Sequence, residues 1–411
     1  MQGDVRAVAR GGDAVVETTD GVVLVPGALP GERVEIALTP SKRGAARGRL
    51  VRVLEPTSAR RKPPCVDAQR CGGCPLMIAS PDLQREIKEG FVRDACRGLP
   101  GAEDTEIEWV ACSSAFGYRR RARLAWHDDA IGYRRLHAKR VIDIDECIVL
   151  MTPLRTAWNA VREHLAYSLS GTGEIRLQLT GAGRVLVGLD ADHDQSPRLF
   201  QACESLCTRA NIAGVSLRTG AAGRPAIWGE SQVVLIGEDD ALEGPSGAFA
   251  QANDQINAKL VEAVVELAEP AGSRLLELHC GIGNFTVHLA ARAKTLVAVE
   301  QDPGAADACR RNLKRRGITA RVTVGDANRP PKGRYDVLVL DPPRQGSKTL
   351  FEDGSVLPGP KRVVYVSCDT ATLARDLHLA AAKGYHVDRI IAFDMFPQTA
   401  HLESLVRLVR V

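Results

Sequence analysis

The sequence predicts an α/β protein: a Rossmann-like domain at the carboxyl end, a small OB-like β-barrel at the amino end, and an α+β domain between them. Three observations carry that prediction. Residues 270–411 alternate buried-strand runs with helical spacing and place a glycine loop after the first strand. Residues 1–57 hold short β-branched runs punctuated by Gly and Pro. Residues 58–245 mix both patterns and concentrate cysteines and arginines, so the boundaries fall at 1–57, 58–245 and 246–411.

The bulk composition, with 45% apolar and 25% charged residues in a 411-residue chain, is that of a soluble protein with a large core. The chain has no apolar run of 18 or more residues, so no membrane span is expected. The polar start, with Asp4, Arg6 and Arg10, does not fit a signal peptide, and a cytoplasmic location is expected. Eleven cysteines, an odd number, argue against a disulfide framework and for thiol or metal chemistry. The net charge of +4 hides clusters of one sign.

In the first 57 residues, Ala14–Val16, Val22–Val25, Val34–Ala37 and Leu50–Val53 read as strands of a barrel. Small barrels of this kind commonly bind oligonucleotides. From Ser41 to Lys62 there are eight basic residues (Lys42, Arg43, Arg47, Arg49, Arg52, Arg60, Arg61, Lys62) against one acid, Glu55. A basic run is usually a solvated face; on a barrel and its exit linker it favours phosphate contact.

Cys65, Cys71 and Cys74 follow, the last two bracketing Gly72-Gly73, and Cys147 lies far downstream. Close-set thiols of this kind point to metal ligation. Four thiolates suit zinc or an iron–sulfur cluster equally by count. A radical enzyme keeps one iron free for its cofactor; four ligands leave none, so the centre reads as structural. A second basic cluster, Tyr118 to Arg140, holds Arg119, Arg120, Arg121, Arg123, Arg134, Arg135, Lys139 and Arg140 against Asp128 and Asp129, interleaved with Tyr118, Trp126 and Tyr133. Arginine alternating with aromatic residues on strands suits RNA phosphates and stacked bases. Cys203 and Cys207, on one face of a helix predicted from Pro197 to Ala210, read as core.

The last domain opens with a helix over Gln255–Leu267 and a strand over Leu275–Leu278. The loop His279-Cys280-Gly281-Ile282-Gly283-Asn284-Phe285 permits close backbone approach, but lacks the Lys-Ser/Thr of a phosphate loop and the third glycine of a dinucleotide fold. Glu300, at the end of the next strand, is placed to accept both ribose hydroxyls; Asp326 and Asp341 end the third and fourth strands. Together these fit S-adenosylmethionine, whose adenosine needs no phosphate cradle. Each carboxylate alone could be a strand-end cap.

The strand Val363–Val366 runs into Cys368 and a helix from Ala371 to Ala380. A thiol facing a helix amino terminus is expected to ionise more easily, with a pKa lowered from about 8.5 toward roughly 4–7, and the neighbouring Asp369 carboxylate works against that shift. Glu403 falls where the last loop re-enters a strand. The ordinary readings are an inert packed thiol and a surface acid; the methyl-donor site upstream favours chemistry.

Taken together, VSCDTATLARD (residues 366–376), MFPQTAHLES (residues 395–404), the glycine loop and the cysteine spacing resemble the RNA uracil-C5 methyltransferases, the tRNA and 23S ribosomal RNA 5-methyluridine enzymes. The resemblance covers almost the whole chain and implies a class I methyltransferase domain behind a TRAM RNA-binding domain. It implies a [4Fe–4S] cluster on Cys65, Cys71, Cys74 and Cys147, and S-adenosylmethionine contacts from Gln251, Asn284, Glu300, Asp326 and Asp341. His279, also at that site, stands where the family shows an aromatic residue, and Asp369 where it shows asparagine. The resemblance further implies Cys368 as nucleophile and Glu403 as base, with RNA as partner, 23S rRNA ahead of tRNA. An exocyclic-amine methyltransferase would place an aromatic residue after Asp341-Pro342-Pro343, where Arg344 stands. A non-catalytic RNA-binding or ribosome-assembly factor would need neither Cys368 nor Glu403.

Overall fold

A computed structural model describes residues 1–40, 44–127, 130–220, 224–236, 241–353 and 359–410. Lys42, Arg43, Asp128 and Asp129 of the two basic clusters lie outside the described residues. The first unit is a closed barrel of five strands: Gln2–Val8, Ala14–Thr18, Gly21–Val25, Arg33–Thr39 and Ala46–Glu55. Val5, Val16, Val23, Val25, Val34 and Ile36 fill it. The first strand had no signal in the β-branched runs, because only Gly3, Val5 and Val8 of its residues turn inward. The basic run is partly neutralised: Arg47 pairs with Asp13, Arg52 with Glu35 and Arg60 with Glu32.

The central sheet has seven strands, in the order Ala226–Gly229, Ile212–Thr219, Val185–Ala191, Thr172–Leu179, Arg121–His127, Ala130–Arg134, Val141–Asp143. Period-2 alternation sends Leu124, Ile175, Leu177, Val187, Leu189, Val215 and Leu217 to one face. The helices Thr152–Leu165 and Pro197–Cys207 cover that face. Cys203 is in this core, as expected, and burial pushes its thiol up to about 12. The other face carries Arg121, Arg123, Glu174, Arg176, Gln178, Gly188, Asp190, Ser216 and Arg218, by register.

The last sheet has eight strands: Arg321–Val324, Thr295–Glu300, Arg274–Leu278, Val337–Leu340, Arg362–Ser367, Glu403–Arg410, Tyr385–Phe393 and Ile107–Val110. The first five are parallel; the inner ones, Arg274–Leu278, Val337–Leu340 and Arg362–Ser367, are buried on both faces and read as continuous apolar runs, while the edge strand Arg321–Val324 is not. Glu403–Arg410 is antiparallel to both its neighbours. Two elements from the 58–245 stretch join this sheet. Ile107–Val110 is its edge strand, and the helix Pro81–Cys96, capped by Ser80, buries Ile87, Phe91, Val92 and Ala95 against it. Among the described residues no helix is long and apolar enough to cross a membrane, and all eleven cysteines are unpaired.

Candidate active site

Parallel strands point their carboxyl ends at one edge of the sheet, and the loops leaving them gather the chemistry there. His279, Glu300, Asp341 and Cys368 each follow such a strand, and Glu403 opens the antiparallel one. Gln251, His279, Glu300, Asp341, Arg344, Cys368 and Glu403 all line one cavity of about 790 Å³.

The glycine loop shapes the cofactor half. His279 and Gly281 both have left-handed backbone, with φ of 63° and 55°, and a side chain at Gly281 would meet no other atom. The loop therefore turns with its backbone bare toward the cavity. Glu300 is fixed by two backbone donors, Gly281 N–H at 2.8 Å and Asp302 N–H at 2.9 Å, one to each oxygen. Its remaining lone pairs are free to accept ribose hydroxyls. Burial pushes the His279 imidazole down, against the pull of Glu300 and Asp326, so the ring favours its neutral form.

Two residues expected at the cofactor, Asn284 and Asp326, are not among those lining this cavity. Asn284 faces a neighbouring cavity and exchanges two hydrogen bonds with Asn257, at 2.9 and 3.0 Å. Asp326 is exposed and does not line the main cavity; its carboxylate accepts from the Asn328 backbone at 2.9 Å, and its charge still reaches His279.

The reactive half is acidic and enclosed. Glu403 is 3% exposed, and one of its oxygens has no partner. Burial, then Asp341, hold its carboxyl well above the usual range, while Arg344 pulls it back. Asp341 is pushed up to about 7 by burial. The expected easing of Cys368 ionisation is not what the fold provides. Its thiol is pushed up to about 12, by burial first and then by Glu403 and Asp341, with Arg344 opposing. The helix terminus does not rescue it, because Asp369 takes the terminal amides: its carboxylate accepts from Ala371 and Thr372 N–H, both at 2.9 Å.

The loop that delivers Glu403 is pinned from three sides, which sequence reasoning missed. Lys88, fully buried in the helix Pro81–Cys96, donates to Asp394 at 2.6 Å and to the Phe396 carbonyl at 3.0 Å. Gln84 and Gln398 exchange hydrogen bonds at 3.0 Å, Tyr118 donates to the Pro397 carbonyl at 3.0 Å, and Leu76 N–H to the Gln398 carbonyl at 3.0 Å. The available signal was Lys88 on the apolar stripe of Gln84, Phe91 and Ala95, where a solvated lysine does not belong.

Leu76 belongs to the cysteine segment. Cys65, Cys74 and Cys147 pack with Met77, Tyr118 and Val149, and Cys71 lies within electrostatic reach of Cys65, Cys74 and Cys147. Burial, and then the neighbouring sulfurs, push Cys71 up to about 11 and Cys74 up to about 12. A side chain on Gly72 would lie 3.0 Å from the Leu136 backbone, so the close turn between the thiols requires glycine. Among the described residues, no three Cys, His, Asp or Glu side chains meet closely enough to hold a single metal ion.

The parallel sheet, the bare glycine loop and the strand-end acids define a class I methyltransferase fold. The tRNA (Uracil-5-)-methyltransferase family model matches residues 232–324 and 333–411. The chain is 33% identical to the 23S rRNA (uracil(1939)-C(5))-methyltransferase RlmD of Pectobacterium atrosepticum, over 96% of this chain and 90% of that protein. It is 32% identical to the RlmD of Pseudomonas entomophila, over 98% and 92%. The solved structure of Pyrococcus abyssi tRNA (uracil-54, C5)-methyltransferase in complex with S-adenosyl-L-homocysteine matches with a TM-score of 0.79 and 25% identity, over 100% of this chain and 99% of that one. The chain belongs to the RNA uracil-C5 methyltransferase family.

Proposed function

We propose that this protein methylates C5 of a uridine in 23S rRNA, with S-adenosylmethionine as donor and a covalent bond from Cys368 to C6 of the uracil. The supporting observation is that Cys368 and Glu403, far apart in sequence, line one cavity with the strand-end acids. Gly281, Glu300 and Asp341 suit the cofactor: a bare loop for the adenosyl group, a fixed carboxylate for the ribose, and acids beside a cation. Bound S-adenosylmethionine supplies an electrophilic methyl group next to C5.

C5 of uracil is too weak a nucleophile on its own. The Cys368 thiolate adds to C6, breaking the C5–C6 double bond and pushing electrons to C5 and O4, and C5 then takes the methyl group. Glu403 removes the remaining C5 proton, the double bond reforms, and the Cys368 Sγ–C6 bond breaks with its electrons returning to sulfur. The thiol must first lose a proton in a site that resists ionisation. With the cofactor bound, its positive charge would favour the charged forms of Asp341, Glu403 and the Cys368 thiol alike; the thiol proton passes to solvent, which leaves the Glu403 carboxylate free for the C5 proton. The uridine leaves its stack to enter, at a cost of a few kcal/mol that backbone contacts offset.

We read Cys65, Cys71, Cys74 and Cys147 as the ligands of a [4Fe–4S] cluster. The mutual electrostatic reach of the four sulfurs supports reading them as one ligand set, which would hold such a cluster. Its role is to tie the segment bearing Leu76 to the Glu403 loop. The barrel, residues 1–57, is read as a TRAM-like RNA-binding domain, and the enzyme as cytoplasmic, where eleven free thiols stay reduced.

A second reading, tRNA as substrate, is favoured by the full-length likeness to the Pyrococcus abyssi enzyme. Labelled-methyl transfer to purified 23S rRNA and to total tRNA separates them. Label mapped to 5-methyluridine in the ribosomal RNA supports the proposal; label in tRNA alone overturns its substrate.

A further inference from the structure

The cavity that holds Cys368 has a second wall, the open face of the central sheet. Register sets Arg123, Arg176, Gly188, Ser216 and Ile227 as direct cross-strand partners in one row. The adjacent row on the same face holds Glu174, Asp190 and Arg218. Arg176, Gly188, Asp190, Ser216, Arg218 and Ile227 all line the cavity.

Three features mark this wall as a seat for an anion. Positive charge is crowded here: Arg121 lies within electrostatic reach of Arg119, Arg120, Arg123 and Arg176, and burial together with these neighbours pushes it down to about 10. Glu174 and Asp190 offset part of that charge, and a polyanion relieves the repulsion that is left. Next, the Arg176 guanidinium is aimed but not satisfied. Asp190 holds one end at 2.7 Å and its other oxygen lies 3.6 Å from Arg218 Nε, so one acid is shared by two arginines, and Arg176 Nε is enclosed without a hydrogen-bond partner. Last, Gly188 lets that guanidinium lie flat on the sheet: a Cβ there would lie 3.3 Å from Arg176 Nε, 3.4 Å from Nη2 and 3.4 Å from the Ser216 hydroxyl. Phe249, 62% exposed with Arg121 at 4.6 Å over its ring, and Ile227, 48% exposed, form an apolar rim where bases can stack.

The geometry points to this row as the seat of the RNA strand beside the target uridine, with Arg176, laid over Gly188, and Arg218 holding a backbone phosphate. This rests on the RNA-methyltransferase reading above. Arg176 is a positioning residue here: it fixes the strand so that the uridine reaches Cys368. The same guanidinium could instead take the carboxylate of the methyl donor, and the test separates the two anions.

Arg176→Gln and Gly188→Leu are compared with wild type for binding of a target RNA hairpin across a salt series, and for binding of S-adenosylhomocysteine by calorimetry. The leucine keeps the charge but displaces the guanidinium. In both variants RNA affinity should fall about tenfold or more, with the loss in KM and not in kcat. In Arg176→Gln the slope of log affinity against log salt should drop by about one. Binding of S-adenosylhomocysteine should stay at the wild-type value. Wild-type RNA affinity in both variants overturns the inference, and so does lost S-adenosylhomocysteine binding with RNA binding intact. If Arg176→Gln fails to fold, Arg218→Gln, on the exposed end of the next row, carries the same slope test. A wild-type protein that methylates no uridine sinks the underlying reading; a wild type that does, beside variants that bind RNA normally, sinks only this seat.

Discussion

Cys368 sits in a field that opposes its ionisation, and that field sets how the enzyme responds to pH. The thiolate is the active form and the thiol is pushed up to about 12, so the thiolate fraction grows as pH rises toward that value. The rate at low substrate should therefore climb by close to tenfold per unit, about the slope of a single titration, from pH 6 to 9. A thiol eased by the helix terminus would instead give a plateau above about pH 7. Asp341 gives a second residue-scale test. Its carboxyl in the folded state, at about 7, lies above the usual unfolded value of about 3.9. Between those values the folded protein holds a proton that the unfolded chain has lost, so this group lowers stability as pH rises through the window. Asp341→Asn removes the effect. Without cofactor, its thermal midpoint should gain on wild type from pH 4 to pH 8, while its affinity for S-adenosylmethionine collapses; a gap that does not change with pH would contradict the burial. The positions of Cys368, Asp341 and Glu403 were legible, because each ends or begins a strand with a clear apolar signature. The opposition of Asp369 was visible, but the direction of the Cys368 shift was not, because it depends on burial and on Glu403, 35 residues away.

At the scale of elements, the helix Pro81–Cys96 decides whether Glu403 is held in place. Lys88 is its only fully buried charge, and Asp394 and the Phe396 carbonyl are what it holds. Lys88→Ala breaks an enclosed pair and should cost on the order of 3 kcal/mol in denaturant unfolding. A loss below about 0.5 kcal/mol would mean that the contact is a surface pair in effect. The strands around Leu275–Leu278 and Val363–Val366 were readable to within a residue, since strands buried on both faces are continuous apolar runs; the exposed edge strand Arg321–Val324 was not bounded. The strand Ile107–Val110 was not placed, since it joins a sheet whose other strands begin at residue 274, a pairing no local pattern encodes.

At the scale of the molecule, the site is a joint product of all three sequence regions. Asp13 of the barrel binds His137 at 2.6 Å, Arg120 of the central sheet binds Asp254 at 2.5 Å, and the cysteine segment holds the Glu403 loop through Leu76. The basic clusters were visible as composition, but the acids that tame them were not, because Asp13, Glu32 and Glu174 meet their arginines only in the fold. If the four thiols carry the proposed cluster, protein purified without oxygen should be brown and hold about four iron atoms per chain. Stripping the iron should speed hydrogen exchange at Leu76, whose amide is tied to the Gln398 carbonyl. One zinc per chain and no iron would overturn the assignment.

The covalent step is tested most directly with Glu403→Gln, target RNA and S-adenosylmethionine. Methyl transfer can proceed in this variant, but the C5 proton has no base to leave to. The expected result is a stable protein–RNA adduct carrying the new methyl group, mapped by peptide mass spectrometry to Cys368 and absent when Cys368→Ala is added. Ordinary turnover with no adduct, or an adduct on a different cysteine, would contradict the account.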